Sequence, residues 1–398
     1  MNSGRGDRNK VVPIGADASI RYLLKPFEKA LAHPDVTEIC VNRPGEMFVE
    51  AAGSWHYREV PELTVESLKS LGVAVAAHSR NDLSETRPIL SAVLPDSERI
   101  QFVLPPACEA GTVSVTIRKP SHQVRTLAEY EKQGFFSHVR PMAEGLTEQE
   151  QRLIDLKDGG DYITFLREAV RLGLNIVIAG ETGSGKTTFM KALMQEIPQQ
   201  ERIITIEDVP ELFLPNHPNH VHLFYPSEAG AGSGQAVVTS ASLLRSCLRM
   251  KPDRILLAEL RGAETFDFIN VCASGHGGSI TSCHAGSADL TFERLALMVM
   301  ENEKGRQLPH EVIQKLLYLV VDVVLHVHNS GGAAGRHITE LWYEPMRKRE
   351  SKSDSGIVAA LKEVIDFHET AFWKTHLATL KQSSRLDECE AALGIQRS

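Results

Sequence analysis

The sequence predicts an α/β protein, with a parallel-rich sheet domain preceded by a smaller α+β domain. Three observations carry that prediction. Between residues 18 and 120, short alternating segments succeed one another with turn residues between them, which is the pattern of an antiparallel sheet. From residue 175 onward, short apolar runs alternate with segments of helical periodicity, the pattern of a parallel sheet covered by helices on both faces. Between them lies a loose stretch, 119–160, where Pro120, Pro141, Gly145, Gly159 and Gly160 stand among charges.

Composition bounds the rest. The chain has 398 residues, a formal charge of −8, 42% hydrophobic and 24% charged residues. Those values exclude collagen, coiled coil and chain-wide disorder. The acidic balance gives no global attraction to nucleic acid or anionic lipid. Cys40, Cys108, Cys247, Cys272, Cys283 and Cys389 are scattered without a CxxC pair, so reduced thiols are expected rather than a disulfide framework or zinc knuckle. No apolar run approaches the roughly 18 residues of a membrane span. The start, Met1 to Arg8, has no apolar stretch behind its charges, so a cytosolic location is expected. The expected division is a disordered tail at 1–17, an α+β domain at 18–120, a linker at 121–160, the larger domain at 161–345 and a helical extension at 346–398.

The elements follow in order. Residues 19–32 carry Ile20, Leu23, Leu24, Phe27 and Leu31 at helical spacing, and Pro34 ends that helix. Residues 36–42 read as a strand, and 46–50 with 54–60 as a hairpin about Gly53. Thr64 is placed to cap a helix to about His78. Strands are expected at 89–94, 99–104 and 112–118. Alternation puts Arg99 and Gln101 on one face of their strand, and Ser114, Thr116 and Arg118 on one face of theirs. If these strands pair, the two arginines face the same way, either as solvated charges on an exposed sheet face or as a functional pair.

The linker is expected to hold one or two short helices, and 162–172 an amphipathic helix. Strands are then expected at 175–179, 202–206, 254–258 and 278–283, with helices at 241–250 and 262–274. The run Leu319 to Leu325 reads as a buried strand within 316–328, turned by Gly331 and Gly332 toward another at 338–343.

The most specific motif is Gly180-Glu181-Thr182-Gly183-Ser184-Gly185-Lys186-Thr187, followed by Thr188. It matches G-x-x-x-x-G-K-S/T in full, between an expected strand and an expected helix. The glycines let backbone N–H groups curl around phosphate oxygens, and the helix adds its positive end. Lys186 is expected on the β- and γ-phosphates of ATP, and the Thr187 hydroxyl on Mg²⁺. Hydrolysis further requires a carboxylate near that loop. Ile255-Leu256-Leu257-Ala258-Glu259 is an apolar strand ending in an acid, with Ala258 where such strands usually carry the metal-linked aspartate. Glu259 is therefore expected to polarise the attacking water, the alternative being a simple salt bridge to Arg261. The run Ile203 to Ile206 ends similarly, in Glu207-Asp208. Strand-terminal acids converge at the carboxyl edge of a parallel sheet. His284 follows the strand at 278–283 through a Gly-rich approach, Gly275-His276-Gly277-Gly278, suited to sensing bound phosphate. His276 and His284 have no companion ligand at metal spacing.

Four blocks thus occur in order: the phosphate loop at 180–187, Ile-Glu-Asp at 206–208, Ala-Glu-Leu-Arg-Gly at 258–262 and Ser-Gly-His with Thr-Ser-Cys-His-Ala within 274–285. This order resembles the secretion-superfamily ATPases. Within them the chain is most similar to the traffic ATPases of type IV secretion systems, through the run 243–254, Val36 to Ile39 with Val41 to Glu46, and Glu98 to Gln101 with Thr116 to Pro120. The resemblance covers roughly residues 20–345. It implies a RecA-like ATPase domain, a two-layered homohexamer, and ATP bound between the two domains of a subunit. It further implies that Arg99 and Arg118 touch the γ-phosphate. The implied setting is the cytoplasmic face of the inner membrane, among the membrane components of the secretion system, moving a secreted protein or nucleoprotein or assembling a pilus. Catalytic roles then fall to Glu259, Lys186, Arg99, Arg118, Glu207 and His284. The alternatives are a type IV pilus or type II secretion motor, which a tetracysteine module would favour, and a nucleic-acid translocase, which the acidic balance disfavours; no sequence-specific nucleic-acid binding is expected. The stretch 346–398 and the Gly-rich insertion 229–234 have no counterpart that assigns them a role.

Overall fold

A computed structural model describes residues 17–121, 124–139, 145–226, 238–332 and 335–352. In chain order the elements are α1 (Ala18–Leu23), α2 (Glu28–Ala32), β1 (Val36–Val41), β2 (Glu46–Ala51), β3 (Ser54–Glu59), α3 (Val65–His78), β4 (Ile89–Val93), β5 (Arg99–Val103), β6 (Ser114–Arg118), α4 (Leu127–Lys132), α5 (Glu148–Asp158), α6 (Tyr162–Arg171) and β7 (Ile176–Gly180). They continue with α7 (Lys186–Met194), β8 (Ile203–Glu207), β9 (His220–Phe224), α8 (Ser240–Cys247), β10 (Arg254–Leu260), α9 (Glu264–Ala273), β11 (Ile280–Cys283), α10 (Ala288–Glu301), α11 (His310–Val320), β12 (Val323–Asn329), β13 (Arg336–Trp342) and α12 (Pro345–Lys352). The chain divides into two compact units, Met1–Met142 with Thr187–Glu259, and Ala143–Lys186 with Leu260–Ser398.

The first unit contains a six-stranded antiparallel sheet of order β3-β2-β1-β6-β5-β4. One face is apolar. Ile39, Val41, Ile100, Phe102, Val115 and Ile117 pack with Leu68, Leu71 and Val75 of α3, whose N-terminus Thr64 caps through its side chain. The other face is polar and is itself buried: Gln101, Thr116 and Ser114 are almost inaccessible. It packs on the 202–254 segment of the same unit, where Gln101 Nε2 donates to Ser246 Oγ at 2.9 Å. That segment supplies the parallel strands β10, β8 and β9, in that order.

The second unit carries β12, β7 and β11 in parallel, with β13 antiparallel on the β12 edge. Its strand β7 is buried along its whole length, as strands covered on both faces must be.

Several sequence expectations change in detail. The helix expected at 19–32 is broken: Pro26 lacks an N–H, and residues 25–27 form a 3₁₀ turn between α1 and α2. Leu319 and Val320 belong to α11 rather than to a strand, and β12 starts only at Val323. A short apolar run does not reveal its period. The boundary is set by Asp322, whose carboxylate accepts the Asn175 N–H at 2.9 Å and pairs with Lys348 at 2.5 Å. Strand β9 and helix α10 had no signal read from the sequence. In the linker, α4 and α5 both start in capping boxes, Thr126 with Glu129 and Thr147 with Glu150. The Gly-rich insertion 229–234, nearly all of the tail 1–17 and most of 346–398 lie outside the described residues.

Candidate functional site

The phosphate loop leaves the end of β7 and enters α7. Two glycines are demanded by the surroundings. At Gly180, φ is +154° and an added Cβ would stand 2.3 Å from the Val327 carbonyl oxygen; at Gly185, φ is +100° and a Cβ would meet Arg336 Cδ at 2.8 Å. Lys186 is buried and folds back over the loop, its Nζ donating to the carbonyls of Gly180 at 2.9 Å and Glu181 at 3.0 Å. The register pairs Ala179 with Cys283, so His284 follows directly beside the loop, its Nδ1 3.4 Å from Lys186 Nζ. Ser184 Oγ is buried with no hydrogen-bond partner among the described residues. Glu181, Thr182 and Gly183 at the tip are exposed. A buried lysine on loop carbonyls, an orphaned hydroxyl and glycines at positive φ are what a phosphate cradle requires.

The other unit holds the strand-end acids. Register places Leu257 opposite Ile206, so Glu207 and Glu259 stand at the same carboxyl edge of adjacent parallel strands. Their surroundings differ. Glu207 is fully buried and saturated: Oε1 accepts the Thr205 hydroxyl at 2.6 Å and faces His222 Nδ1 at 3.1 Å, while Oε2 accepts the N–H groups of Glu211 and Leu212, each at 2.8 Å. Burial alone would raise its pKa; the hydrogen bonds from His222, Thr205 and the two backbone groups outweigh it and hold the carboxyl below its ordinary value. Glu259, one residue past the apolar core of β10, is only half-buried.

Arg99 and Arg118 are direct cross-strand partners, so they do share a face. That face is not the exposed one considered above: it is buried as far as Gln101 and Thr116, and the arginines emerge at its rim. Arg249, just after α8, is a third cation here. Burial, and after it the Arg99 charge, holds its pKa below the usual guanidinium range. Glu38 of β1 pairs with Arg118, Oε1 to Nε, at 2.8 Å.

Residues 23–328 match the family described as "Type II/IV secretion system protein". The chain belongs to that family. Among curated relatives of this family member, the type IV secretion system protein VirB11 of Brucella abortus biovar 1 (strain 9-941) is 66% identical over 333 residues, covering 83% of this chain and 92% of the relative. The protein PtlH of Bordetella pertussis (strain Tohama I) is 44% identical over 346 residues, covering 86% and 98%. A crystal structure of the VirB11 ATPase from the Brucella suis type IV secretion system, in complex with sulphate, aligns with TM-score 0.81 at 63% identity over 86% of this chain and 99% of that one. The family member is thus an α/β protein of the secretion-ATPase fold throughout the region where its four sequence blocks lie.

Sequence reasoning missed three residues of interest in this family member. Arg249 sits in a run quoted only for its resemblance. Glu38 likewise lies in a run, Val36 to Ile39, that carried only the resemblance, and Arg336 comes from a strand far downstream of the loop it touches. For Glu38 the signal is strand register, and for all three it is proximity that exists only in the folded chain.

Proposed function

We propose that the chain is a Mg²⁺-dependent ATPase that powers a type IV secretion system as a homohexamer. The observation that supports this best is the phosphate loop between β7 and α7, with Lys186 folded on its carbonyls and His284 beside it. In this reading the N–H groups of 183–188 and the Lys186 ammonium take the β- and γ-phosphates. Thr187, in the first turn of α7, would hold Mg²⁺ through its hydroxyl. Among the described residues there is no group of three or more His, Cys, Asp or Glu that could hold a metal ion. When bound, Mg²⁺ would supply charge that neutralises the nucleotide phosphates.

Glu259 orients the attacking water. Glu207 does not touch it: its acceptors are committed to the loop that follows β8, and its role is to hold that edge in place. Arg99 and Arg118 stabilise the charge that develops on the γ-phosphoryl, and His284 reports its presence to β11. Work is done when phosphate loss releases the arginine-bearing domain. The site of action is the cytoplasmic face of the inner membrane, with secretion-system membrane proteins and a secreted protein or nucleoprotein as partners. The pilus-motor and nucleic-acid translocase readings share this chemistry and differ only in what is moved.

The test is Lys186→Ala. Binding of a fluorescent ATP analogue should weaken by at least about tenfold, and turnover should fall to background. Retained binding and turnover would remove the loop from the mechanism.

A further inference from the structure

A row of charges crosses the N-terminal sheet. Arg99 on β5 stands opposite Arg118 on β6, Arg118 opposite Glu38 on β1, and Glu38 opposite Glu50 on β2. Two arginines directly across an antiparallel pair repel. The arrangement is organised from the other side. Glu38 is buried, its side chain 3% exposed, whereas that of Arg118 is 55% exposed. Its carboxylate meets Nε, the guanidinium nitrogen nearest the chain, at 2.8 Å. An anion approaching from solvent would meet the terminal nitrogens, farther out. Glu50 is engaged elsewhere, by Lys251 Nζ at 3.2 Å and the Thr37 hydroxyl at 2.8 Å, so it does not compete for Arg118.

We propose that Glu38 is the positioning residue that holds the Arg118 guanidinium in line for the γ-phosphate of ATP. This rests on the reading of Arg118 as a phosphate-contacting arginine. An arginine on the rim of a sheet has many rotamers, and freezing one in advance removes that cost from the transition state. The grip depends on the charge of the carboxylate. The groups that bear on Glu38 are Arg118 from β6, Glu50 from β2, Lys251 from the turn after α8 and Arg202 from the start of β8. Burial is the largest influence and pushes the Glu38 pKa up to about 7, against the pull of Arg118. The carboxylate is therefore ionised and holding above that pH, and neutral and released below it.

The experiment compares full-length wild type, Glu38→Gln, Arg118→Ala and the double variant. It reads kcat from pH 6 to pH 9 and nucleotide affinity by fluorescent ADP. Glutamine keeps the shape and removes a buried charge, so the variant should fold. Glu38→Gln is expected to lower kcat at high pH by about tenfold while ADP affinity stays within about twofold. The acid limb of the wild-type profile, with its midpoint near 7, should vanish in Glu38→Gln. In the Arg118→Ala background the second substitution should add nothing. Wild-type kcat and pH profile in Glu38→Gln, beside an impaired Arg118→Ala, would overturn the positioning role alone. Independent, additive losses in the double variant would overturn it too. An undiminished Arg118→Ala would instead overturn the arginine reading on which it stands.

Discussion

Glu207 and Glu259 show how two acids at adjacent strand ends acquire different surroundings. Both were legible in the sequence as an apolar run followed by an acid, and nothing in that pattern separates them. The difference lies in what the next residues do. After β8 the backbone turns so that the N–H groups of Glu211 and Leu212 reach Glu207, and the Thr205 hydroxyl closes on it from the same strand. After β10 the Glu264 carboxylate takes the N–H groups of Arg261 and Gly262, at 2.6 Å and 2.9 Å. The two glutamines should therefore behave differently. Glu259→Gln should bind ATP normally and lose about 10²–10⁴ in turnover, the usual worth of a positioned acid or base. Glu207→Gln has one acceptor oxygen in place of two, so either the Glu211 and Leu212 N–H groups or Thr205 and His222 would face an NH₂, and the change should cost about 1–3 kcal/mol of stability. Thermal melts and nucleotide titration of both variants check this; normal stability of Glu207→Gln with lost turnover would reverse the assignment.

At the scale of elements, the seam between the polar sheet face and the 202–254 segment is built from buried hydrogen bonds. Arg202 is fully buried at its centre; Nη1 donates to Asn42 Oδ1 at 2.7 Å, Nε donates to the Met250 carbonyl at 2.9 Å, and the guanidinium lies 5.9 Å from the Trp55 ring centroid. Beside it, Arg43 Nη2 meets His220 Nε2, and His220 Nδ1 meets the His217 carbonyl. The ring must be neutral to accept from Arg43. Burial first, and the Arg43 charge next, lower its pKa from 6.5 to about 3. A histidine depressed in the fold stabilises fully above its unfolded pKa, and that contribution is lost as pH falls from 6.5 toward 3. Melting temperature should accordingly fall below pH 6.5, and His220→Gln should flatten that fall; an unchanged pH slope would show that the seam does not titrate. This seam also marks the limit of what sequence could reveal. Most strands of both sheets, though not β9, were readable along with the α3 cap and the phosphate loop, because period, capping and glycine spacing are local. That Arg99 and Arg118 share a face was readable from alternation. That the face is buried was not, because Gln101, Ser114 and Thr116 look like solvent-facing residues until Ser246 and its neighbours cover them. The α11–β12 boundary escaped for the complementary reason, since an unbroken apolar run carries no period.

At the scale of the molecule, the phosphate loop with His284 belongs to one compact unit, and the two arginines with both strand-end acids to the other. The proposed chemistry draws on residues of both units. No helix among the described residues is long and apolar enough to cross a membrane. The most direct measurement is steady-state phosphate release from ATP over a concentration series of the full-length chain, with light scattering giving the mass at each point. Phosphate release that requires Mg²⁺ and climbs as the mass reaches six chains is the expected result. No phosphate release at any mass, with ATP bound and Mg²⁺ present, would contradict the assignment of this chain as an ATPase.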